Sequence, residues 1–289
     1  MYTTLITAAQ LQYLQQSGQP TFVFDCSFDL ARPDTGAQMF ADTHLAGAIY
    51  ADLDRHLSAK GERQQTGACS GGRHPLPSRA AFARWLQSVG LEAGMQVVVY
   101  DRQGSSFCGR LWWMLQWMGH PSVAVLDGGL AAWQAAGGAL ASGAGHLPAQ
   151  PSGFTPSAPL LPLVDAATVL AGLGRSAQTV VDARATPRFK GEVEPLDPVA
   201  GHIPGALNRP FGQNLDAQGF FKPAEQLRQE WLALLGQRSA DTVVHHCGSG
   251  VTAIPNILAM CIAGIGPGAL FAGSWSEWCS DPARPVARG

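Results

Sequence analysis

Short runs of apolar, β-branched residues recur along the chain, each followed by a polar or glycine-rich break. TFVFD ends at Asp25, VVVYD at Asp101, SVAVLD at Asp127, TVVD at Asp182, VVHHC at Cys247 and GALFA at Ala272. VVVY and TVVH are apolar without alternation, the pattern of strands buried on both faces. Stretches of helical length, GRLWWMLQWMG and AIPNILAMCIAG, follow them. This alternation predicts right-handed crossovers and a mostly parallel α/β sheet flanked by helices. From 242 to 276 there is no Asp, Glu, Lys or Arg. That strand–loop–helix–strand unit must be deeply buried, and any polar group in its loop stands out.

The pattern occurs twice. The interval from Asp25 to HLAGA at His44 matches that from Asp182 to HIPGA at His202 to within one residue. So does the interval from Asp101 to Trp133 against that from Cys247 to Trp278. The middle interval is longer in the first half, which carries a polar insertion around SAKGERQQTGACSGGRHPLPS. Residues 140–162 hold five prolines, three glycines and no Asp, Glu, Lys or Arg. That composition sustains neither a helix nor an internal strand and reads as an extended linker. The expected organisation is a first domain over 1–139, a linker over 140–162 and a second domain over 163–289. A length of 289 residues, at about 150 per domain, agrees.

Composition narrows the function. A balance of 19 Lys+Arg against 21 Asp+Glu argues against a nucleic-acid binder that lives on phosphate contacts. No apolar run approaches the ~20 residues of a membrane span. The start, MYTTLITAAQLQYLQQ, lacks the basic and apolar regions of a secretory signal. The six cysteines are scattered without a CxxC pair, which argues against a disulfide scaffold or zinc module and for a cytoplasmic protein.

The chemistry concentrates in HHCGSGVTA, residues 245–253. A strand that enters a helix through Gly-x-Gly gathers backbone N–H groups around one point, and the helix dipole adds positive potential there. Cys247 at that point should be held as a thiolate. Gly248 and Gly250 leave no side chain between the amides and a bound anion. A dinucleotide fingerprint (Gly248, Gly250, Ala253) would need an acidic residue roughly 20 positions on, and the first is Glu277. A cysteine phosphatase would need arginine where Ala253 stands. For a metal, at most His245 and Cys247 share a strand face, too few ligands for zinc. A buried structural cysteine suits Cys261, inside an apolar helix, better than Cys247.

CGSGVTA after a buried strand, GHIPGA, the tandem arrangement and the ending GSWSEW together resemble the two-domain rhodanese-type sulfurtransferases, from about Tyr2 to Val286. Within that family the CGSGVTA loop is similar to that of the 3-mercaptopyruvate sulfurtransferases. The resemblance implies two tandem rhodanese-like domains and a cysteine, Cys247, that accepts a sulfane sulfur as a persulfide. The sulfur would come from a small-molecule donor and pass to a thiol such as thioredoxin, or to cyanide. No metal or organic cofactor, nucleic acid or membrane is implied. The amides of Gly248, Ser249, Gly250, Val251 and Thr252 would stabilise the sulfur anion. Arg188 matches the arginine that binds the donor's carboxylate or sulfonate, with a surface salt bridge to Glu192 or Glu194 as its competing use. Asp197 stands where some family members carry a second arginine, which leaves Arg188 as the main cation and Lys190 as a possible substitute. His74, with Ser249, matches a pair associated with proton transfer. Arg73 beside it is a further anion-binding candidate.

Other residues read as structural. Arg184 should pair near its strand end, Arg110 should pack structurally between the domains, and His44 and His202 should bond to backbone in their turns. Asp101 aligns with Cys247 and Gly104 with Gly250, so the first domain would be inactive and serve to cover the second domain's site. Its loop, DRQGSS, lacks Gly-x-Gly, which predicts too few amide donors to support a thiolate there. Two alternatives stay open: a thiosulfate donor, and a non-catalytic module that senses persulfides or anions.

Overall fold

The structure, a computed structural model, describes residues 1–61, 68–145 and 150–289. Residues 62–67 of the polar insertion and 146–149 of the linker lie outside the described residues. The chain divides into two compact units. Met1–Ala59, Pro77–Leu160 and Gln218–Phe220 form the first, and Lys60–Leu76, Leu161–Ala217 and Phe221–Gly289 the second.

In the first unit the elements are β1 (Leu5–Ile6), α1 (Ala8–Gln16), β2 (Thr21–Asp25), α2 (Thr35–Asp42), β3 (His44–Leu45), β4 (Ile49–Tyr50) and α3 (Arg79–Ser88). They continue with β5 (Gln96–Tyr100), α4 (Cys108–Trp117), β6 (Val123–Leu126), α5 (Gly129–Ala135) and β7 (Leu140–Ala141). The sheet order is β1-β6-β5-β2-β4, and every pairing is parallel. Thr7 caps α1 through a reciprocal box with Gln10, which satisfies two backbone donors at the helix start. Helix α4 buries nine of its ten residues, Trp112 and Trp113 among them, as an apolar helix against the sheet does.

The second unit contains β8 (Leu163–Val164), α6 (Ala166–Ala171), β9 (Thr179–Asp182), α7 (Thr186–Lys190), β10 (Leu207–Asn208) and α8 (Ala224–Leu235). After these come β11 (Val243–His246), α9 (Ile254–Ile262), β12 (Ala269–Phe271) and α10 (Ser274–Trp278). Its sheet, read β8-β12-β11-β9-β10, is again all parallel and repeats the first sheet strand for strand. Asp25 pairs in register with Tyr100, and Asp182 with His246. The repeat and the parallel α/β architecture expected from the sequence are borne out.

The repeat extends to side chains. His44 Nδ1 lies 2.7 Å from Phe40 O, and His202 Nδ1 lies 2.8 Å from Phe189 O. Each ring stacks on the phenylalanine whose carbonyl it meets, at 3.9 Å. The expected turn role of both histidines is therefore observed.

The linker is not free chain. Leu140–Ala141 pair antiparallel with His44–Leu45, Phe154 is buried, and Leu160 N donates to Gln116 O, all within the first unit. Residues 60–61 and 68–76, placed in the first half by the sequence boundaries, instead pack with the second unit. Gly71 N donates to the Glu277 carboxylate at 3.1 Å and Arg73 N to Ser276 Oγ at 3.1 Å. The approach requires glycine at 72, where φ is +82° and a Cβ would lie 2.5 Å from Gly273 O.

Candidate active site

Strand β11 delivers Cys247 to the start of a loop that ends where α9 begins. The thiol is nearly buried, at 1 % exposure. Cys247 N donates to Ser274 Oγ at 3.0 Å, while its carbonyl and that of Gly248 accept from Trp275 N and Ser276 N. The start of α10 thereby clamps both ends of the first loop peptide. Gly250 turns the chain with φ +76°, and a Cβ there would sit 2.0 Å from Ala272 O, so no other residue fits. Among the described residues no backbone carbonyl accepts from the N–H groups of Ser249, Val251, Thr252 or Ala253. Helix α9 also has no side-chain cap. Those donors are available to an anion at the loop.

The first unit carries the same loop in a self-liganded form. Asp101 follows β5 as Cys247 follows β11, and its carboxylate accepts from Gln103 N, Ser105 N, Phe107 N and Cys108 N at 2.8–3.0 Å. Gly104 and Ser105, with φ of 64° and 63°, aim these amides. The expectation that DRQGSS lacks amide donors is corrected. The cradle is complete and a carboxylate fills it.

Segment 68–76 brings His74 to the Cys247 loop, where Nδ1 lies 2.7 Å from Ser249 Oγ. Both residues are buried. Arg188, on α7, is partly exposed and pairs with Glu194 at 2.7 Å and Asp197 at 3.3 Å. Arg73 Nη1 pairs with the other oxygen of Asp197. Arg184 forks onto Asp182 at 2.7 Å, reaches Glu194 at 3.2 Å and lies over Trp275, the structural role expected for it. These six side chains form one ladder of alternating charge: Arg73, Asp197, Arg188, Glu194, Arg184 and Asp182. Burial alone would raise the Asp182 and Glu194 carboxyls. His246 and Arg184 outweigh it at Asp182, and Arg188 with the Leu196 and Asp197 amides at Glu194, so both lie below their ordinary values.

Nη2 of Arg73 and Nη1 of Arg188 have no hydrogen-bond partner among the described residues. They would lie 3.0 and 3.5 Å from a Cβ at Gly248. Arg73, the further anion-binding candidate, thus reaches the same point as Arg188, whereas Lys190 is exposed. Arg110 is fully buried in the first unit and donates to Leu57 O. Sequence reasoning missed Asp197 as a ligand of both arginines, and Ser274 as the anchor of Cys247. The acidic run VEPLD and the ending GSWSEW were the signals available for them.

Both units match the model for the rhodanese-like domain, over residues 7–136 and 165–281. The chain belongs to the rhodanese family. It is 49 % identical over 286 residues to a probable 3-mercaptopyruvate sulfurtransferase of Pseudomonas aeruginosa, covering 99 % of this chain and 98 % of that one. It is 39 % identical over 289 residues to a putative thiosulfate sulfurtransferase, SseB, of Mycobacterium tuberculosis, covering 99 % and 97 %. Among solved structures, the 3-mercaptopyruvate sulfurtransferase SseA of Escherichia coli superposes with a TM-score of 0.77 at 29 % identity, covering 96 % of this chain and all of that one. The rhodanese resemblance read from the motifs is borne out. Among the described residues no helix is long and apolar enough to cross a membrane.

The histidines before Cys247 serve the rhodanese fold. His245 is fully buried edge-on to Trp231, and burial pushes its ring down to about 3. His246, 3.5 Å from Asp182, is lowered by burial too. A ring kept neutral in the fold but protonated near pH 6.5 when unfolded withdraws stability as pH falls below that value. From pH 6.5 to 5, His245 should account for a loss of about 2 kcal/mol. In urea titrations, His245→Gln should flatten that acid limb; an unchanged slope would show that other groups control it.

Proposed function

We propose that this rhodanese is a sulfurtransferase that moves a sulfane sulfur from 3-mercaptopyruvate through a persulfide on Cys247. The Cys247 thiolate attacks the donor's sulfur and an S–S bond forms. The donor's C–S bond breaks, its electron pair passes to carbon, and the resulting enolate takes a proton to become pyruvate. A thiol such as thioredoxin, or cyanide, then attacks the outer sulfur and releases the Cys247 thiolate. The amides of Gly248 through Thr252 stabilise the sulfur anions. Arg188 holds the donor's carboxylate, and the Ser249–His74 pair moves the proton to the departing enolate.

The observation that carries this reading is a nucleophile at an amide-lined loop with a Ser–His pair and unpartnered guanidinium nitrogens beside it. The name of the Pseudomonas aeruginosa relative supports the donor. The ladder does too: three guanidiniums face three carboxylates, a neutral set that suits one carboxylate better than the dianion of thiosulfate. The Mycobacterium tuberculosis relative's name favours thiosulfate as the second reading. A reducing cytoplasm fits six free cysteines.

Steady-state rates with the two donors test this. We expect kcat/KM for 3-mercaptopyruvate to exceed that for thiosulfate by at least ~10-fold, about 1.4 kcal/mol. Equal values or a thiosulfate advantage would overturn the donor assignment. Failure of either donor to leave a persulfide would favour a non-catalytic sensor.

A further inference from the structure

We infer that Glu277 and Ser276, on α10, are positioning residues for the proton-transfer pair: they dock residues 71–73 so that His74 meets Ser249. The inference rests on the proposed function for what the pair does, whereas the dock itself is read from geometry within the second unit. Gly71 N donates to the Glu277 carboxylate at 3.1 Å, and Arg73 N donates to Ser276 Oγ at 3.1 Å. The next residue is His74, whose Nδ1 lies 2.7 Å from Ser249 Oγ. The same turn of α10 holds the Cys247 loop, through Ser274 Oγ, Trp275 N and Ser276 N. One short helix therefore fixes both the nucleophile and the histidine, and sets their register to each other.

The docked segment is closed on itself. Cys69 N donates to Leu76 O at 2.7 Å, Leu76 N donates to Ser70 Oγ at 2.9 Å, and Leu76 is fully buried. Pinning residues 71 and 73 to α10 thus fixes residue 74 as well. The approach is close enough to demand glycine on both sides. A Cβ at Gly71 would lie 2.8 Å from Glu277 Cδ, and one at Gly273 would collide with Glu277 Oε2. Among the described residues no cation pairs with the Glu277 carboxylate, because Arg284 is turned to the Glu277 carbonyl and to Asp281. The charge at 277 is left for the Gly71 amide, and a backbone N–H bonds more strongly to a carboxylate than to a neutral acceptor.

Glu277→Ala and Glu277→Gln, each alone and combined with His74→Ala, test the dock. At saturating 3-mercaptopyruvate, kcat should fall about 10-fold in Glu277→Ala. Glutamine keeps an oxygen for Gly71 N and should stay within about threefold of the wild type. Iodoacetamide should alkylate Cys247 in both within about twofold of the wild-type rate, because the bonds from α10 to the Cys247 loop remain. On the His74→Ala background, Glu277→Ala should lower kcat by less than about twofold, since a residue that acts through His74 has nothing left to position. A merely structural role would lower kcat on both backgrounds alike and would overturn the inference. The dock is also read without turnover, from the His74 ring signal of protein labelled with 15N-histidine. That signal should move in Glu277→Ala toward its position in Ser249→Ala, and stay at the wild-type position in Glu277→Gln. An unmoved ring in Glu277→Ala overturns the dock. A moved ring in a protein whose His74→Ala variant keeps wild-type kcat sustains the dock and overturns the proton-transfer role in the proposed function.

Discussion

Cys247→Ser is expected to abolish sulfur transfer, by at least ~1000-fold in kcat/KM, while leaving the melting temperature close to that of the wild type. The hydroxyl has nearly the volume of the thiol and disturbs none of the backbone bonds that clamp the loop, which run through Cys247 N, Cys247 O and Gly248 O. It is, however, a poor nucleophile toward sulfur. Three other thiols are poorly placed to take over. Burial pushes Cys26 and Cys108 well above the ordinary range, with Asp25 and Asp101 adding to it, and pushes Cys261 up to about 12. These groups stay protonated near neutral pH and react slowly. Incubation with donor and no acceptor should therefore add one sulfur atom to the wild type, mapping to Cys247, and none to the variant. An adduct on Cys26 or Cys108 would move the active site to the first unit.

What the sequence disclosed follows from the range over which each interaction acts. The Cys247 loop was legible because its chemistry is local: a buried strand, a nucleophile, and a glycine at 250 where the backbone turns against Ala272. The sheet order was legible as a repeat, since strand spacing is carried by apolar runs. The ladder was not, because Arg73 and Asp197 lie 124 positions apart and only folding makes them neighbours. Asp197 in particular read as the loss of a cation, whereas its two oxygens gather two of them. The Asp101 loop was misread for a different reason. Counting glycines in DRQGSS missed Ser105, whose left-handed backbone does the work of a second glycine.

Asp101→Ala should cost the first unit several kcal/mol for the same reason. The carboxylate is 2 % exposed and accepts four backbone N–H groups, two of them, from Phe107 and Cys108, at the uncapped start of α4. Alanine leaves those donors without an acceptor, at ~1–3 kcal/mol for each that water cannot reach. A cavity of about 280 Å³ lined by Asp101, Ser105 and Gln134 lets water serve some of them, so we expect a net loss of ~3–5 kcal/mol. Hydrogen exchange should show it as loss of protection in β5 and α4; full protection would mean the amides are held by the turn alone. Asp101→Cys separates the cradle from catalysis. Four converging amides favour a thiolate, so iodoacetamide should label this cysteine at neutral pH well ahead of Cys26 and Cys108. Sulfur loading should still be absent. The neighbouring guanidinium, Arg102, is committed to Asp25, Ser27 and the carbonyls of Met39 and Thr43, and offers no arm to a donor's carboxylate. Two sulfur atoms on that variant would show that the amide cradle alone suffices, and that the arginines beside Gly248 contribute affinity and not the chemistry.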